Sequence, residues 1–373
     1  MPIYKMKGKK DGLQKYRVRI NYTDQHGGQK QIDRVAYGAE NAKTLEYALN
    51  QEVKNQTQTS PSMTVGVLCE EYLSVKRHEV RESTLLKTAQ ILKLHILPTL
   101  RDCRLQKLNV QLLQKWKLGI EGKELSVTMR NNIYGAFRSM LNYAVKMEYV
   151  SSNPLNKIGN FKDAYAAKKE MNFYTPDEFK LYISAAKQQA EEKGFYEWNY
   201  YVFFCIAFYT GLRKGEIHAL KWTDIDNHIL HVRRSICQKL KGADRETPPK
   251  NKTSVRDLQL PSPLIKILND HYSRYHAVDG FSADWRVCGG PSCLRDTSIN
   301  NRNLLYSGLA GTKTIRIHDF RHSHASLLAN EGINIQEIAR RLGHAKIEIT
   351  WNTYAHLYPR EEERAVSILN KIE

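Results

Sequence analysis

The chain has 373 residues, and its 57 Lys and Arg against 39 Asp and Glu give a formal net charge of +18. With 41% hydrophobic residues wholesale disorder is not expected, and no stretch approaches the roughly 20 apolar residues of a membrane span. The amino terminus lacks the apolar core of a signal peptide, so we expect a cytoplasmic protein with no membrane partner. The positive excess indicates a polyanion, with nucleic acid as the leading class, because each cation that neutralises a phosphate releases a counterion. A merely basic soluble protein is the alternative on charge alone.

The six cysteines are spread along the chain and do not form the paired spacings of a metal site. We expect reduced thiols. Cys288 and Cys293 could supply half of a zinc knuckle, but no second pair follows in the sequence. No acidic cluster suited to Mg²⁺ is evident either, so the sequence predicts no metal and no cofactor.

The first predicted domain, residues 1–58, is a small α+β amino-terminal unit. Lys15–Tyr22 alternates basic or polar side chains with apolar or aromatic ones, which is the period of a strand with one cationic face. A Gly-containing turn, a second alternating run and a helix-like run over Asn41–Val53 follow. We predict a three-stranded sheet backed by one helix. Arg17 and Arg19 lie on its exposed face as candidates for DNA binding, and a solvated cationic face is the alternative.

The second predicted domain, residues 64–160, is all-α. Residues 54–63 before it are polar and lack apolar periodicity, which is typical of a linker. The domain carries four apolar-periodic helical runs, of which the second is predicted to be capped by Ser83 and broken at Pro98. A second polar, Lys-rich linker is predicted over Lys157–Glu170.

The third predicted domain, residues 170–373, is mixed α/β and mainly helical. It opens with a capping signal at Thr175, followed by Pro and acids in the first turn. Two helices, a stranded section with a long polar loop, and a helical carboxyl end come next. Within that end, residues 328–345 have the pattern of a helix-turn-helix.

Several short segments of this domain carry Arg, Lys, His or Tyr side chains suited to acting on a phosphate. In chain order they are Arg213 in TGLRKGE, Lys250 in PKNKTSVRDLQLP, His318 and Arg321 in HDFRHSHAS, His344 in LGHA and Tyr354 in NTYAH. His318 and Arg321 are three residues apart and share one helical face. Taken singly, each residue is more often structural than functional, so their order carries the argument.

In this order the segments resemble the catalytic motifs of the tyrosine recombinase family, the phage-integrase group of site-specific DNA recombinases. The resemblance covers the whole chain, and residues 1–58 are similar to the arm-binding domain of integrases from phages and conjugative transposons. It implies an enzyme that cuts and rejoins DNA through a covalent 3′-phosphotyrosyl intermediate, integrating and excising a mobile element. It also implies that residues 64–160 form a SAM-like core-binding domain and residues 170–373 the catalytic domain.

The resemblance also implies a role for each motif residue. It makes Tyr354 the nucleophile, Arg213 and Arg321 the phosphate clamp, Lys250 the proton donor to the leaving 5′ hydroxyl, His344 a donor to the phosphate, and His318 either the acceptor of the Tyr354 proton or a phosphate ligand. The chemistry agrees, because a guanidinium fork donates two parallel hydrogen bonds to phosphate oxygens. A phenol of pKa about 10 also gives a better leaving group than a sugar alkoxide, so the step is reversible.

Alternatives remain at residue and at function level. Lys252 is a second candidate for the loop lysine and Tyr358 for the nucleophile, although the motifs favour Lys250 and Tyr354. Glu216 resembles the family's acidic residue beside the first arginine. A DNA-binding regulator built on the helix-turn-helix and a type IB topoisomerase are the alternative functions.

Strand exchange between two duplexes requires four protomers, so the resemblance implies a homo-tetramer on double-stranded DNA with core and arm-type attachment sites. It also allows an excision factor and a host DNA-bending protein as partners. The tail after Tyr354 is predicted to dock on its own domain or on a neighbouring protomer. Its apolar set comprises Ala365, Val366, Ile368, Leu369 and Ile372.

Overall fold

The chain forms two compact units, Met1–Ala167 and Lys168–Glu373, in a computed structural model. None of the helices in the described part of the chain combines the length and apolar character that a bilayer crossing requires. All six cysteines fall in that part, and none of them forms a disulfide. The structure describes residues 3–23, 28–57, 63–162, 171–238, 245–247, 252–358, 366 and 369–370.

The first unit begins with the predicted three-stranded sheet and its helix. Strands β1 (Ile3–Lys10), β2 (Leu13–Thr23) and β3 (Gln29–Tyr37) are antiparallel with β2 in the centre, and helix α1 (Ala39–Thr57) packs against them. The side chains of Val18 and Ile20 on β2 both point inward, because successive side chains of a strand point to opposite faces. The small core of this sheet comprises Val18, Ile20, Ala36, Ala42 and Leu49.

Arg17 and Arg19 lie on the other face of β2, and an acidic residue of β3 contacts both. Arg17 Nε donates to Asp33 Oδ1 at 2.7 Å, and Arg19 Nη2 donates to Asp33 Oδ2 at 3.3 Å. The two arginine side chains are 39% and 35% exposed. The Arg17 hydrogen bond also lowers the pKa of Asp33, so one carboxylate offsets part of the predicted cationic face.

The helical part of the first unit has its own hydrophobic core, built around Leu68, Leu92 and Phe137. Thr64 Oγ1, Asn109 Oδ1 and Ser126 Oγ cap three of its helices by accepting a backbone N–H. The helices are α2 (Val65–Glu79), α3 (Glu82–His95), α4 (Leu97–Leu100), α5 (Val110–Glu121) and α6 (Val127–Lys146).

Two local predictions in this part are corrected. Ser83 does not cap α3, which begins one residue earlier at Glu82 after an extended Arg81 that makes no side-chain capping bond. The acid at the first position instead suits the positive end of the helix dipole. The predicted break does occur, since α3 ends at His95 and Pro98 lies in the first turn of α4, where a missing N–H costs little.

The predicted second linker starts inside the packed core. Phe161 is 4% exposed and belongs to the helical cluster. Lys117 Nζ donates to the carbonyls of Ile158, Gly159 and Asn160 at 3.1–3.2 Å, which fixes this stretch against α5. A lysine that satisfies three carbonyls makes a polar sequence part of the fold, so composition alone was misleading here. Residues 163–170 lie outside the described part.

The second unit is mainly helical, with α8 (Phe195–Thr210) at its centre. The residues of this helix are apolar or aromatic on nearly every side, and such a helix is buried. The capping box predicted at Thr175 is confirmed, since its hydroxyl accepts from Glu178 N while the Glu178 carboxylate accepts from Thr175 N. The helices are α7 (Pro176–Lys193), α8 (Phe195–Thr210), α9 (Lys214–Ala219), α10 (Ser262–His276), α11 (Asp296–Leu309), α12 (Asp319–Asn330), α13 (Ile335–Leu342) and α14 (Ile347–Tyr354).

The strands of this unit lie between α9 and α10, as the sequence predicts. Two strands of the predicted stranded section, Ile229–Val232 and Arg256–Gln259, pair directly, with Ile229 opposite Gln259 and Val232 opposite Arg256. A short hairpin occurs within the long polar loop that joins them. The strands are β4 (Ile225–Asp226), β5 (Ile229–Val232), β6 (Ser235–Cys237), β7 (Arg245–Thr247) and β8 (Arg256–Gln259), paired β4-β5-β8 and β6-β7.

Candidate active site

A tight turn after the central helix positions Arg213. Gly211 ends α8 with φ +64°, and a Cβ there would come within 2.7 Å of the His324 ring. Arg213 directly precedes α9 as its N-cap residue. Its backbone N–H donates to Glu216 Oε2 at 3.0 Å, and its Nη1 donates to Glu216 Oε1 at 2.8 Å. Its Nη2 donates to the Gly343 carbonyl at 3.2 Å. The first motif arginine is thus held by α9 and by the end of α13.

Arg321 is buried on α12 and is 3% exposed. Its Nη1 donates to the Gly211 carbonyl at 2.8 Å and its Nη2 to the Leu342 carbonyl at 2.5 Å. Burial, with the charge of Arg213 adding to it, lowers the pKa of Arg321 to about 9. Two positive guanidinium groups that repel each other in a low-dielectric site favour an anion between them.

Two histidines stand beside this pair. His344 follows the left-handed Gly343 that ends α13, and its Nδ1 is 2.8 Å from Thr350 Oγ1. His318 precedes α12 by one residue. Burial, with the charge of Arg321 adding to it, lowers the pKa of each to about 4, so both imidazoles are neutral at pH 7. Neutral imidazole still donates one N–H to an anion.

Tyr354 ends α14 and is 2% exposed. Its ring packs among the small and aliphatic side chains of α12 and α13, and its hydroxyl lies 2.7 Å from His322 Nδ1. Burial raises the pKa of Tyr354 to about 12, although Arg321 acts in the opposite direction. The phenol is therefore neutral at pH 7 and needs an acceptor for its proton before it can attack.

The structure brings most of the predicted site residues together. Electrostatic interactions connect Arg321 with Arg213 and with Tyr354, and connect His344 with His318. The residues gathered in this way are Arg213, His318, Arg321, His344 and Tyr354.

Of the two candidates for the loop lysine, the structure describes only one. Lys250 lies outside the described residues. Lys252 begins a short 3-10 turn that ends at Ser254, and the Thr253 carbonyl of that turn would be 3.2 Å from a Cβ on Gly343. The carboxyl end of the loop therefore approaches the residue before His344.

Tyr358, the competing nucleophile, is engaged elsewhere. Its hydroxyl donates to the Ile333 carbonyl at 2.5 Å. Tyr354 instead interacts with Arg321 and His322, so the geometry favours Tyr354.

Sequence reasoning missed Arg256 as a residue of the site. Arg256 and Glu216 have side chains that are each 4% exposed, and Arg256 Nη2 donates to Glu216 Oε2 at 3.0 Å. Arg256 Nε also donates to the Arg341 carbonyl at 2.6 Å. Although burial opposes the shift, Arg256 and Arg213 lower the pKa of Glu216. The available signal was a charged residue at an inward position of an alternating strand.

His322 is a second residue of the site that the sequence motifs did not predict. It directly follows Arg321 and comes four residues after His318, so it lies on the same side of α12 as His318. The rings of His318 and His322 are 5.3 Å apart between centroids. Its contact with Tyr354 depends on where α14 lies, which the sequence of α12 does not encode.

The helix-turn-helix prediction is correct in its local elements. Helix α12 ends at Asn330, Gly332 adopts a positive φ of 71°, and α13 follows. The inner face of α13, with Ile338 and Leu342, packs in the cluster that holds Tyr354.

Among the described residues, no group of His, Cys, Asp or Glu is arranged to hold a metal ion.

Two family models match the chain. Residues 172–361, slightly more than half of the chain, match the Phage integrase family, and residues 64–117 match the Phage integrase, N-terminal SAM-like domain. A curated relative, the ICEBs1 integrase of Bacillus subtilis (strain 168), is 28% identical over 351 residues, which cover 91% of each chain.

Solved structures share the fold. The Tn1549 transposon integrase in complex with circular intermediate DNA is 19% identical, with a TM-score of 0.66 and coverage of 83% of this chain and 100% of that chain. A lambda integrase tetramer bound to a Holliday junction is 16% identical, with a TM-score of 0.56 and coverage of 97% of both chains. At these identities the likeness confirms the predicted fold class. The family match and the sequence relative together mean that the chain belongs to the phage integrase family and is a tyrosine-type site-specific DNA recombinase.

Proposed function

We propose that this recombinase cleaves DNA with Tyr354 as the nucleophile while Arg213 and Arg321 hold the scissile phosphate. The observation that carries the proposal is that Arg321 interacts both with Arg213 and with Tyr354, which come from distant parts of the sequence. A guanidinium pair in a buried site stabilises the charge that develops on the phosphate oxygens. Neutral His318 and His344 add N–H donors to those oxygens.

The proposed reaction is a transesterification. The Tyr354 oxygen forms a bond to phosphorus, the bond from phosphorus to the 5′ oxygen breaks, and the enzyme is left on the 3′ phosphate. Because a phosphodiester replaces a phosphodiester, a 5′ hydroxyl from another strand can reverse the step without an added energy source. No metal enters the step, since arginine and histidine side chains supply the positive charge.

The leaving 5′ oxygen needs a proton, and we assign that donation to Lys250. A flexible ammonium group is suited to this task, and Lys252 is the alternative donor. The approach of Thr253 to Gly343 supports a position for the loop near His344.

Three functional parts follow from the charge and motif distribution. Residues 1–58, with Arg17 and Arg19, would bind arm-type sites; residues 64–160 would bind the core site; and residues 170–373 would carry out catalysis. The match of residues 64–117 to the SAM-like model supports the second assignment. Phosphate contacts would set the register on DNA, and base contacts would set the sequence.

The working assembly would be a tetramer on DNA that integrates and excises a mobile element in the cytoplasm. Strand exchange between two duplexes requires four active sites, and the solved lambda integrase tetramer on a Holliday junction supports this stoichiometry. An excision factor and a host DNA-bending protein would set direction. Of the predicted tail residues, Val366 and Leu369 are exposed, and Ala365, Ile368 and Ile372 lie outside the described part.

The test uses a suicide duplex carrying the core site, nicked so that the short fragment bearing the new 5′ hydroxyl diffuses away after cleavage. We expect wild-type protein and Tyr358→Phe to form a covalent protein–DNA adduct, and Tyr354→Phe to bind the duplex without forming one. The adduct is measured on denaturing gels and binding by gel shift. Retention of the adduct by Tyr354→Phe would refute the assignment, and binding by the wild-type protein with no adduct would favour a DNA-binding regulator.

A further inference from the structure

The hydroxyl of Tyr354, the proposed nucleophile, has a hydrogen-bond partner that is not one of the other four gathered motif residues. Tyr354 Oη and His322 Nδ1 are 2.7 Å apart, a normal distance for a strong O–H···N hydrogen bond. The rings are tilted by 51° with centroids 5.8 Å apart, so the contact is made edge to hydroxyl and not by stacking. His318 was predicted either to accept the Tyr354 proton or to contact the phosphate, and the contact with the Tyr354 hydroxyl is made by His322.

The surroundings of His322 keep it neutral. Burial is the largest cause that lowers the pKa of His322, and Arg321 adds to it while Asp319 opposes it. A neutral imidazole has one bare ring nitrogen, which can accept a proton. The charged and titratable groups that act on His322 are Arg316, His318, Asp319 and Arg321 in and next to α12, and Tyr354 from α14.

We infer that His322 is the catalytic base that takes the proton of Tyr354 during strand cleavage and returns it during rejoining. The inference rests on the proposed role of Tyr354 as the nucleophile. It assigns the neutral tautomer with the proton on Nε2, so that Nδ1 accepts the hydrogen bond from the phenol. It leaves His318 free for the other role that the sequence allowed, contact with the phosphate.

The proton balance of the step is complete. As the Tyr354 oxygen bonds to phosphorus, its proton moves to His322 Nδ1 and makes an imidazolium. The bond to the 5′ oxygen breaks, and that oxygen receives a proton from the loop lysine. In rejoining, an incoming 5′ hydroxyl attacks phosphorus, the lysine regains a proton, and the imidazolium protonates the departing phenolate.

The requirement for a base follows from the site itself. Tyr354 has a pKa of about 12, so its ionised form is scarce at pH 7. A positioned general base contributes on the order of 100- to 10,000-fold to a rate. Among the described residues, the His322 imidazole is hydrogen-bonded to the Tyr354 oxygen that reacts. It is therefore in position to provide this rate enhancement as the base.

The test compares His322→Asn, His322→Ala and wild-type protein in single-turnover adduct formation on the suicide duplex. Asparagine can place Oδ1 where Nδ1 was and hold the phenol, but it does not take up a proton. We expect the adduct to form about 100-fold more slowly in both variants, with unchanged binding in gel shifts. His228→Asn, in the exposed turn between β4 and β5, is the matched control and should keep the wild-type rate.

A second measurement distinguishes a base from a purely positioning group. Fluorinated tyrosine at position 354 has a more acidic phenol and depends less on a base. We expect fluorination and a rise in pH to accelerate His322→Asn by a larger factor than the wild-type protein. We also expect the wild-type rate to fall at acidic pH, where protonated His322 no longer accepts a proton, and the variant to lose this dependence.

Three results would overturn the inference. They are a His322→Asn rate within about threefold of wild type, loss of activity in the alanine variant only, and equal acceleration of both proteins by fluorination. The last two would leave His322 as a positioning residue. Failure of the nucleophile assignment is seen separately, as an adduct that survives in Tyr354→Phe while the His322 variants retain DNA binding.

Discussion

At the scale of single residues, one buried carboxylate organises the positive charge of the site. Glu216 accepts hydrogen bonds from Arg213 and from Arg256, and Arg256 also reaches the Arg341 carbonyl. Taking a guanidinium out of water is costly unless a carboxylate and further hydrogen bonds compensate it. Glu216 therefore fixes the direction of Arg213, and Arg256 links it to the end of α13.

Glu216→Gln should destabilise the protein and slow cleavage. The change leaves Arg256 buried without a charged partner, and breaking a buried pair in this way costs about 3–5 kcal/mol. The control is Glu337→Gln, which breaks the exposed pair with Arg340 and should cost less than about 1 kcal/mol. Urea denaturation measures both. Equal stability of the two variants would show that the buried pair does not support the site.

At the scale of elements, the end of α13 holds the two clamp arginines. The Leu342 carbonyl accepts from Arg321 and the Gly343 carbonyl from Arg213, at the helix end where unpaired carbonyls carry partial negative charge. This helix was predicted as the second helix of a helix-turn-helix that reads DNA. The prediction of the helix was correct. Its buried face, however, packs in the Tyr354 cluster, and the carbonyls at its end accept hydrogen bonds from the two arginines.

Gly343→Ala tests this role of the helix end. Gly343 has φ +65°, and an added Cβ would lie 3.0 Å from Arg256 Nη1 and 3.2 Å from the Thr253 carbonyl. Gly311 has the same φ with nothing within 4 Å, so Gly311→Ala is the matched control. Both changes should cost about 1–2 kcal/mol of stability from the left-handed backbone.

The two glycine variants should differ in activity. In Gly343→Ala the neighbouring groups must shift, and His344 is attached to the displaced residue, so we expect adduct formation to fall at least tenfold. Gly311→Ala should keep its rate. Single-turnover cleavage and urea denaturation of both proteins measure the two effects. Equal rates in the two variants would mean that the contact at Gly343 does not position His344.

At the scale of the whole molecule, the cations behind the net charge of +18 lie in separate parts of the chain. Arg213 and Arg321 lie in the candidate active site, whereas Arg17 and Arg19 lie on a separate sheet and share Asp33. Because Arg17 and Arg19 are partly exposed, they can replace their ion pair with Asp33 by a contact with a phosphate. The total charge therefore predicted a polyanion partner but not which cations contact it.

Arg17→Ala combined with Arg19→Ala should weaken binding to arm-site DNA and spare cleavage of a core-only duplex. Each lost phosphate contact reduces the magnitude of the negative slope of log Kobs against log salt by about 0.9, so the double variant should have a slope less steep by about 2. Lys43→Ala, on the exposed part of α1, should leave the slope within about one contact of wild type. Binding across a salt series measures this. An unchanged slope in the double variant would mean that the cationic face is merely solvated.

The sequence by itself determined the elements and the motif residues. Strand alternation gave the sheet of the first unit, the capping signal at Thr175 marked the start of α7, and the ordered motifs indicated Arg213, Arg321 and Tyr354. Periodicity and capping are local signals, because they depend on residues close together in the chain, and the order of the motifs is read directly along the sequence.

The contacts between side chains that are distant in sequence become visible in the tertiary structure. It paired Tyr354 with His322 instead of His318, buried Arg256 against Glu216, and packed Phe161 from a stretch that composition assigned to a linker. Each of these contacts joins elements that are distant in sequence, and its energy depends on burial and on the exact approach of two backbones. A single sequence records the side chains for such contacts, but the distance between them arises only when the helices pack.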